Sequence, residues 1–147
     1  MQTIRPIKIL IFGLPSSGKT TLAKALSKEI NAIHLNADEM RNNVWTDLTF
    51  EYKDRLIQSK RMSALSDLLN KQGYNTIADF VCPTNETRMV FGKAFTIFVD
   101  RIKYSKYEDT NKLFQIPTHC DVHIKYGLTL EEELNIIKEK LCHILQK

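Results

Sequence analysis

Eight consecutive residues limit what this chain can become more than any others do. Gly13-Leu14-Pro15-Ser16-Ser17-Gly18-Lys19-Thr20 follows the apolar run 7–12, "IKILIF", and leads directly into 18–30, "GKTTLAKALSKEI". The first run is short, isoleucine-rich and bounded by Pro6 and Gly13, which predicts a buried strand. In the second, Leu22, Ala25, Leu26 and Ile30 share one stripe at helical spacing. The eight residues between satisfy G-x-x-x-x-G-K-[ST]. A backbone that wraps a chain of phosphates must turn its N–H groups inward. That needs positive φ and no obstructing side chain, hence glycine at both bends. The helix that follows points the positive end of its dipole at the anion. Gly13, Pro15, Ser16, Ser17, Gly18, Lys19, Thr20 and Thr21 are therefore expected to surround the phosphates of ATP, with Lys19 as a catalytic cation and Thr20 as a ligand of Mg²⁺. A chance match occurs on the order of once in two hundred chains of this length, and the required strand-before, helix-after context is present as well.

The rest of the chain alternates in the same way. Strands are predicted at 32–36, 75–81, 94–100 and 121–125, and helices at 54–73, just after Pro83-Thr84, and at 129–145. Leu65, Leu68 and Leu69 are expected to face inward from 54–73, and Thr129 with Glu132 forms a capping box. The alternation predicts an α/β chain: a three-layer α/β/α P-loop NTPase fold on a five-stranded, mainly parallel sheet, forming one domain over 1–147. Residues 101–118 break the pattern and are expected to be a lid or a mobile loop.

Composition narrows the class. A chain of 147 residues, 43% hydrophobic and 26% charged, suits one globular domain. A net charge of +4 suits an anionic small molecule and is too low to argue for nucleic acid. No apolar run reaches the length of a membrane span, and "MQTIRPIKILIF" does not read as a secretory signal. Cys82, Cys120 and Cys142 are widely spaced and odd in number, as expected of reduced thiols in a cytoplasmic protein. Zinc is not expected at His119, Cys120, His123, Cys142 and His143, which lack a Cys-x-x-Cys pair.

Two acids stand where a phosphoryl-transfer site needs them. Asp38 follows the second strand in "LNADEMR" and Asp79 lies in the third, "TIADF". Carboxyl ends of parallel strands meet at the ligand crevice, where one acid can join the Mg²⁺ shell and another can orient or deprotonate an acceptor hydroxyl. Asp79 is assigned to the metal and Asp38 to the acceptor, although Asp38 also fits the N-cap of a helix over "EMRNNV". A switch GTPase is disfavoured, because the fourth strand ends in "FVDRIK" and carries no Asn-Lys-x-Asp.

Taken together, "GLPSSGKTTLA", "NADEMR", "LTFEYKDR", "SKRMSALSDLLNKQG" and "DFVCPTNETR" resemble the adenylylsulfate kinases over about residues 8–100. That family phosphorylates the 3′-hydroxyl of adenosine 5′-phosphosulfate with MgATP. The resemblance implies that Arg41, Phe50, Arg55, Arg61 and Phe80 hold the acceptor with Asp38, the Phe50 ring stacking on its base. Leu48 and Asp54 match the same segment. Two features depart from the family pattern. Asp79 stands where a small polar residue is usual, and the second acceptor stretch before the last strand is reduced. The basic residues Arg101, Lys103, Lys106 and Lys112 remain to close over the phosphates, with Tyr104, Tyr107 and Phe114 to cover a base. The reading is thus an ATP- and Mg²⁺-dependent kinase of an anionic hydroxyl acceptor. The acceptor is adenosine 5′-phosphosulfate, a cytidine diphosphate derivative or a sugar intermediate of polysaccharide tailoring; the alternative is a nucleotide-binding protein without transfer activity. A nucleic-acid or membrane partner is not expected, and a homodimer is left open.

Overall fold

The computed structural model describes residues 5–145. Five strands and six helices follow one another as β1 (Lys8–Phe12), α1 (Lys19–Ile30), β2 (Ala32–Asn36), α2 (Ala37–Asn43), α3 (Tyr52–Lys71), β3 (Asn75–Asp79), α4 (Asn85–Phe91), β4 (Phe95–Asp100), α5 (Glu108–Leu113), β5 (Val122–Lys125) and α6 (Leu130–Leu145). The strands form one sheet in the order β2-β3-β1-β4-β5, and every neighbouring pair is parallel.

Alternation along the strands divides the core into two layers. Ile9 and Ile11 of β1 pack with Leu22 and Leu26 of α1 and with Leu134, Ile137 and Leu141 of α6. Leu10 and Phe12, pointing the other way, pack with Ala37 of α2, Met62 of α3 and Phe91 of α4. This is the expected three-layer α/β/α arrangement. The sheet changes direction of winding around β1, so the crevice opens beyond the carboxyl ends of β1 and β3.

The long helix α3 departs from its expected packing. Leu65 and Leu69 are half-buried, but Leu68 is 55% exposed. The buried face is made of Asp54, Gln58, Ser59, Met62, Ser63 and Ser66 instead. Small side chains there let α3 approach α4, where the Ser59 and Ser63 hydroxyls donate to the Thr87 and Phe91 carbonyls, each at 2.5 Å. Two capping boxes fix helix starts. Thr129 and Glu132 form the expected one, with bonds of 3.0 and 3.1 Å. Thr84 and Thr87 form another at α4, with Pro83 just outside the helix. Residues 101–118 are not one unbroken loop, since α5 lies within them. The Arg88 guanidinium holds the following chain by donating to the Gln115 carbonyl at 2.6 Å and stacking over Phe12 and Phe114. Among the described residues, no helix is long and apolar enough to cross a membrane.

Candidate active site

The loop after β1 is built for a ligand that takes many hydrogen bonds from backbone. Gly13 packs its Cα against the Val99 carbonyl oxygen, which any Cβ would strike. Gly18 has φ +94° and starts α1 with no side-chain cap, so the first N–H groups of α1 lack a capping partner. Ser16, at φ 61°, shares the left-handed conformation. The Ser17 hydroxyl is buried with no hydrogen-bond partner. Lys19 is buried and curls back to donate to the Leu14 carbonyl at 2.8 Å. Burial lowers its pKa to about 8, against the upward pull of Asp79 and Asp38. An orphan hydroxyl, uncapped helix N–H groups and a desolvated ammonium fit a polyphosphate.

Beside the cradle, Asp79 ends β3 at 1% exposure. Burial pushes its carboxyl up, but hydrogen bonds from His34 and Asn36 and the charge of Lys19 outweigh that and hold it below the ordinary aspartate range. The Asn36 amide also reaches the Thr20 hydroxyl at 3.3 Å. Thr20 and Asp79 are therefore linked through one side chain, in keeping with a shared role at a metal. Among the described residues no group of three His, Cys, Asp or Glu side chains is placed to hold an ion unaided. Magnesium is typically held by one or two carboxylates together with nucleotide phosphates, and Asp79 beside the cradle offers one such carboxylate.

Asn36 takes the capping role that the sequence offers to Asp38. The N-cap of α2 is Asn36, whose side chain accepts from the Glu39 N–H at 3.0 Å. Asp38 is two residues further on, in the first turn of α2, 81% exposed and 3.6 Å from Arg41, with no capping role. The pattern Asn36-x-x-Glu39 was the available sequence signal for this cap.

A cavity of about 1140 Å³ runs from the cradle past Asp38 and Asp79 to Phe50. Phe50 is 63% exposed and held on a fixed loop. The Asp54 carboxylate accepts from the Thr49 N–H and hydroxyl at 2.8 and 2.7 Å, and the Arg55 Nε donates to the Phe50 carbonyl at 2.9 Å. Arg41 lies 4.2 Å over the Phe50 ring and Arg55 lies 5.7 Å from it. Burial lowers the pKa of both guanidiniums, and the charge of Arg41 lowers that of Arg55 further. Two crowded cations beside an open aromatic face make a seat for a planar group that carries an anion. Phe80 and Gln58 line the same space, and Gln58 joins the Trp45 indole (2.5 Å) to the Ala37 carbonyl (3.1 Å).

Not every expected residue arrives here. Arg61 is spent on a two-pronged pair with Asp47 at 2.8 and 3.0 Å and does not line the cavity. Arg101 is committed to fully buried Glu133 of α6 and to the Ser17 carbonyl at 3.2 Å. It braces the cradle and borders a smaller hollow of about 370 Å³ with Thr21 and Tyr126. Lys103, Lys106, Lys112, Tyr104 and Phe114 are absent from the main cavity wall. From 101–118 the expected Tyr107 does reach the cavity, together with Glu108, Asp109, Thr110 and Leu113, so this wall is acidic rather than basic. His34, Asn36, Gln58 and the α5 carboxylates were not legible as site residues, since nothing local distinguishes them.

A family model described as adenylylsulphate kinase matches residues 5–125. An adenylyl-sulfate kinase of Bacteroides fragilis is 34% identical over 89 residues, 57% of this chain and 44% of the relative. A Pseudomonas aeruginosa protein named "Probable adenylyl-sulfate kinase" is 26% identical over 160 residues, 89% of this chain and 75% of that one. The chain spans about half the length of most of the curated relatives it matches. Among solved structures, the Mycobacterium tuberculosis APS kinase CysC in complex with AMPPNP and APS superposes with a TM-score of 0.83 at 19% identity. That match covers 93% of this chain and 98% of the other, a likeness of fold. With the family model spanning most of its length, the chain belongs to the adenylylsulphate kinase family.

Proposed function

We propose that this protein is an ATP-dependent small-molecule kinase that transfers the γ-phosphoryl group of MgATP to a hydroxyl of an anionic acceptor of the adenosine 5′-phosphosulfate type. One observation carries the reading: a single cavity joins the phosphate cradle to Phe50 and its two arginines, with Asp38 and Asp79 between them. Phosphoryl transfer asks for positioning and charge neutralisation more than covalent chemistry, and those are what the lining residues supply. The backbone of 13–20 and Lys19 hold the donor phosphates, and the hollow beside Thr21 and Arg101 takes the nucleoside. Thr20 and Asp79 are the residues to hold Mg²⁺, which when bound neutralises charge on the transferred group. Asp38 orients the acceptor hydroxyl and takes up its proton. Arg41 and Arg55 clamp the acceptor anion, while Phe50 and Phe80 cover its ring.

The acidic wall bears on the rest of the acceptor. Glu108 and Asp109 face the cavity. Hydroxyl or amino groups suit that wall; a second anion does not. Adenosine 5′-phosphosulfate meets this by presenting its anion to the arginines and its base and sugar hydroxyls elsewhere, and a cytidine diphosphate derivative or sugar phosphate remains in the same class.

The test is ADP release from MgATP across an acceptor panel holding adenosine 5′-phosphosulfate, cytidine diphosphate compounds and sugar phosphates. Acceptor-dependent ADP release with at least one of them is the expected result. Nucleotide binding with no acceptor-dependent release would leave a nucleotide-binding protein without transfer activity.

A further inference from the structure

The carboxylate of Asp79 is restrained by two side-chain donors from β2. The β2–β3 register places Asn36 directly opposite Asp79, and His34 opposite Ile77. Side chains two residues apart on a strand share a face, so both His34 and Asn36 come to the side where Asp79 points. Their donors converge on one oxygen: His34 Nε2 and Asn36 Nδ2 each lie 3.0 Å from Asp79 Oδ2. An ionised carboxylate only accepts, so Nε2 of His34 must carry a hydrogen. The imidazole is 14% exposed and does not line the main cavity. With Oδ2 taken by both donors, Oδ1 is the oxygen left to the cavity that Asp79 lines.

We propose that His34 and Asn36 are positioning residues that hold Asp79 with Oδ1 turned toward the nucleotide site, and that this restraint sets how far magnesium strengthens nucleotide binding. The proposal rests on the reading of Asp79 as part of the magnesium shell. Asn36 has the wider reach, since the same amide nitrogen contacts the Thr20 hydroxyl and its side-chain oxygen caps α2. His34 touches neither the cradle nor α2 through a side-chain bond, so it isolates the effect on Asp79. Partners that orient a metal-binding side chain typically contribute about 10- to 100-fold to metal affinity.

The experiment is calorimetric titration of the intact protein with ADP, once with EDTA and once with excess Mg²⁺, the ratio of the two affinities being the readout. Asp79→Asn should remove most of that ratio. His34→Ala should lower it about tenfold while leaving the EDTA affinity unchanged. His34→Gln, which keeps an N–H donor, should restore most of it. Asn36→Ser keeps a helix-capping oxygen but lacks the amide donor, and should act in the same direction should His34→Ala fail to fold. An unchanged ratio in His34→Ala and Asn36→Ser, with Asp79→Asn impaired, overturns the proposal and leaves the Asp79 reading standing. An unchanged ratio in Asp79→Asn removes both. Equal losses with and without Mg²⁺, or no rescue by glutamine, would mean a purely structural histidine and likewise overturn it.

Discussion

On the proposed function, the donor half of the cavity is built mainly from the backbone of one loop, with the Lys19 and Thr20 side chains, and the acceptor half from side chains alone. The donor half is one contiguous stretch, Gly13 to Thr20, fixed by packing β1 against β4 and by starting α1 at Gly18. The acceptor half is assembled from Asp38 and Arg41 on α2, Phe50 on a loop, Arg55 and Gln58 on α3, and Glu108 and Asp109 on α5. A backbone site recognises what every nucleoside triphosphate shares. A side-chain site gathered from separate elements can be rewritten one residue at a time without disturbing the sheet. The contrast explains how one half can be common to many kinases while the other decides the acceptor.

That contrast can be broken in several ways. The largest effect belongs to Lys19→Ala, expected to lower turnover roughly 10²- to 10³-fold in an ADP-release assay, with circular dichroism unchanged. An unimpaired rate would remove the donor half from the mechanism. Arg41→Ala and Arg55→Ala should each raise KM for the acceptor by about 10- to 100-fold, the range for losing a hydrogen bond to a charged group. KM for ATP should hold constant, and a parallel rise in both would show that the halves are not separable.

A smaller effect follows from the pKa of Lys19, lowered by burial to about 8. The sign runs as expected for a cation: bound phosphate favours the charged form and raises the pKa. ADP binding at pH 8 should therefore take up about half a proton, measurable by calorimetry in buffers of different ionisation enthalpy, and affinity should fall as pH rises beyond 8. The smallest effect is that of Arg61→Ala. Its guanidinium is already paired with Asp47 outside the cavity, so acceptor KM should not change. A clear rise would return Arg61 to the acceptor site.

The same contrast governs what could be read from the sequence. Strand and helix order, the parallel sheet and the cradle were legible because they rest on local periodicity and on a motif whose geometry is local. Helix α2 was seen only as an alternative for Asp38, since its cap, Asn36, lies inside a strand pattern. The inward face of α3 was misjudged at Leu68, because close packing against α4 selected serines where periodicity favours leucines. Arg61 and Arg101 show the limit most clearly. Both are arginines near the right motifs, and each is paired with a carboxylate, Asp47 or Glu133, whose proximity exists only in three dimensions; the pairing keeps Arg61 off the cavity wall and leaves Arg101 against the cradle. The acidic wall from α5 was hidden for the same reason, inside a segment whose basic residues were the more visible feature.

Trp45, the sole tryptophan of the chain, gives the acceptor half a property the cradle lacks. Its indole N–H is tied to Gln58, which lines the cavity and also holds the start of α2 through the Ala37 carbonyl. Any occupant that pulls on Gln58 or shifts α2 alters the electrostatics around one fluorophore. Trp45 thus offers an unlabelled optical reporter joined to the cavity wall, and a change in its emission on titrating an acceptor is the expected signal of occupancy on the Phe50 side.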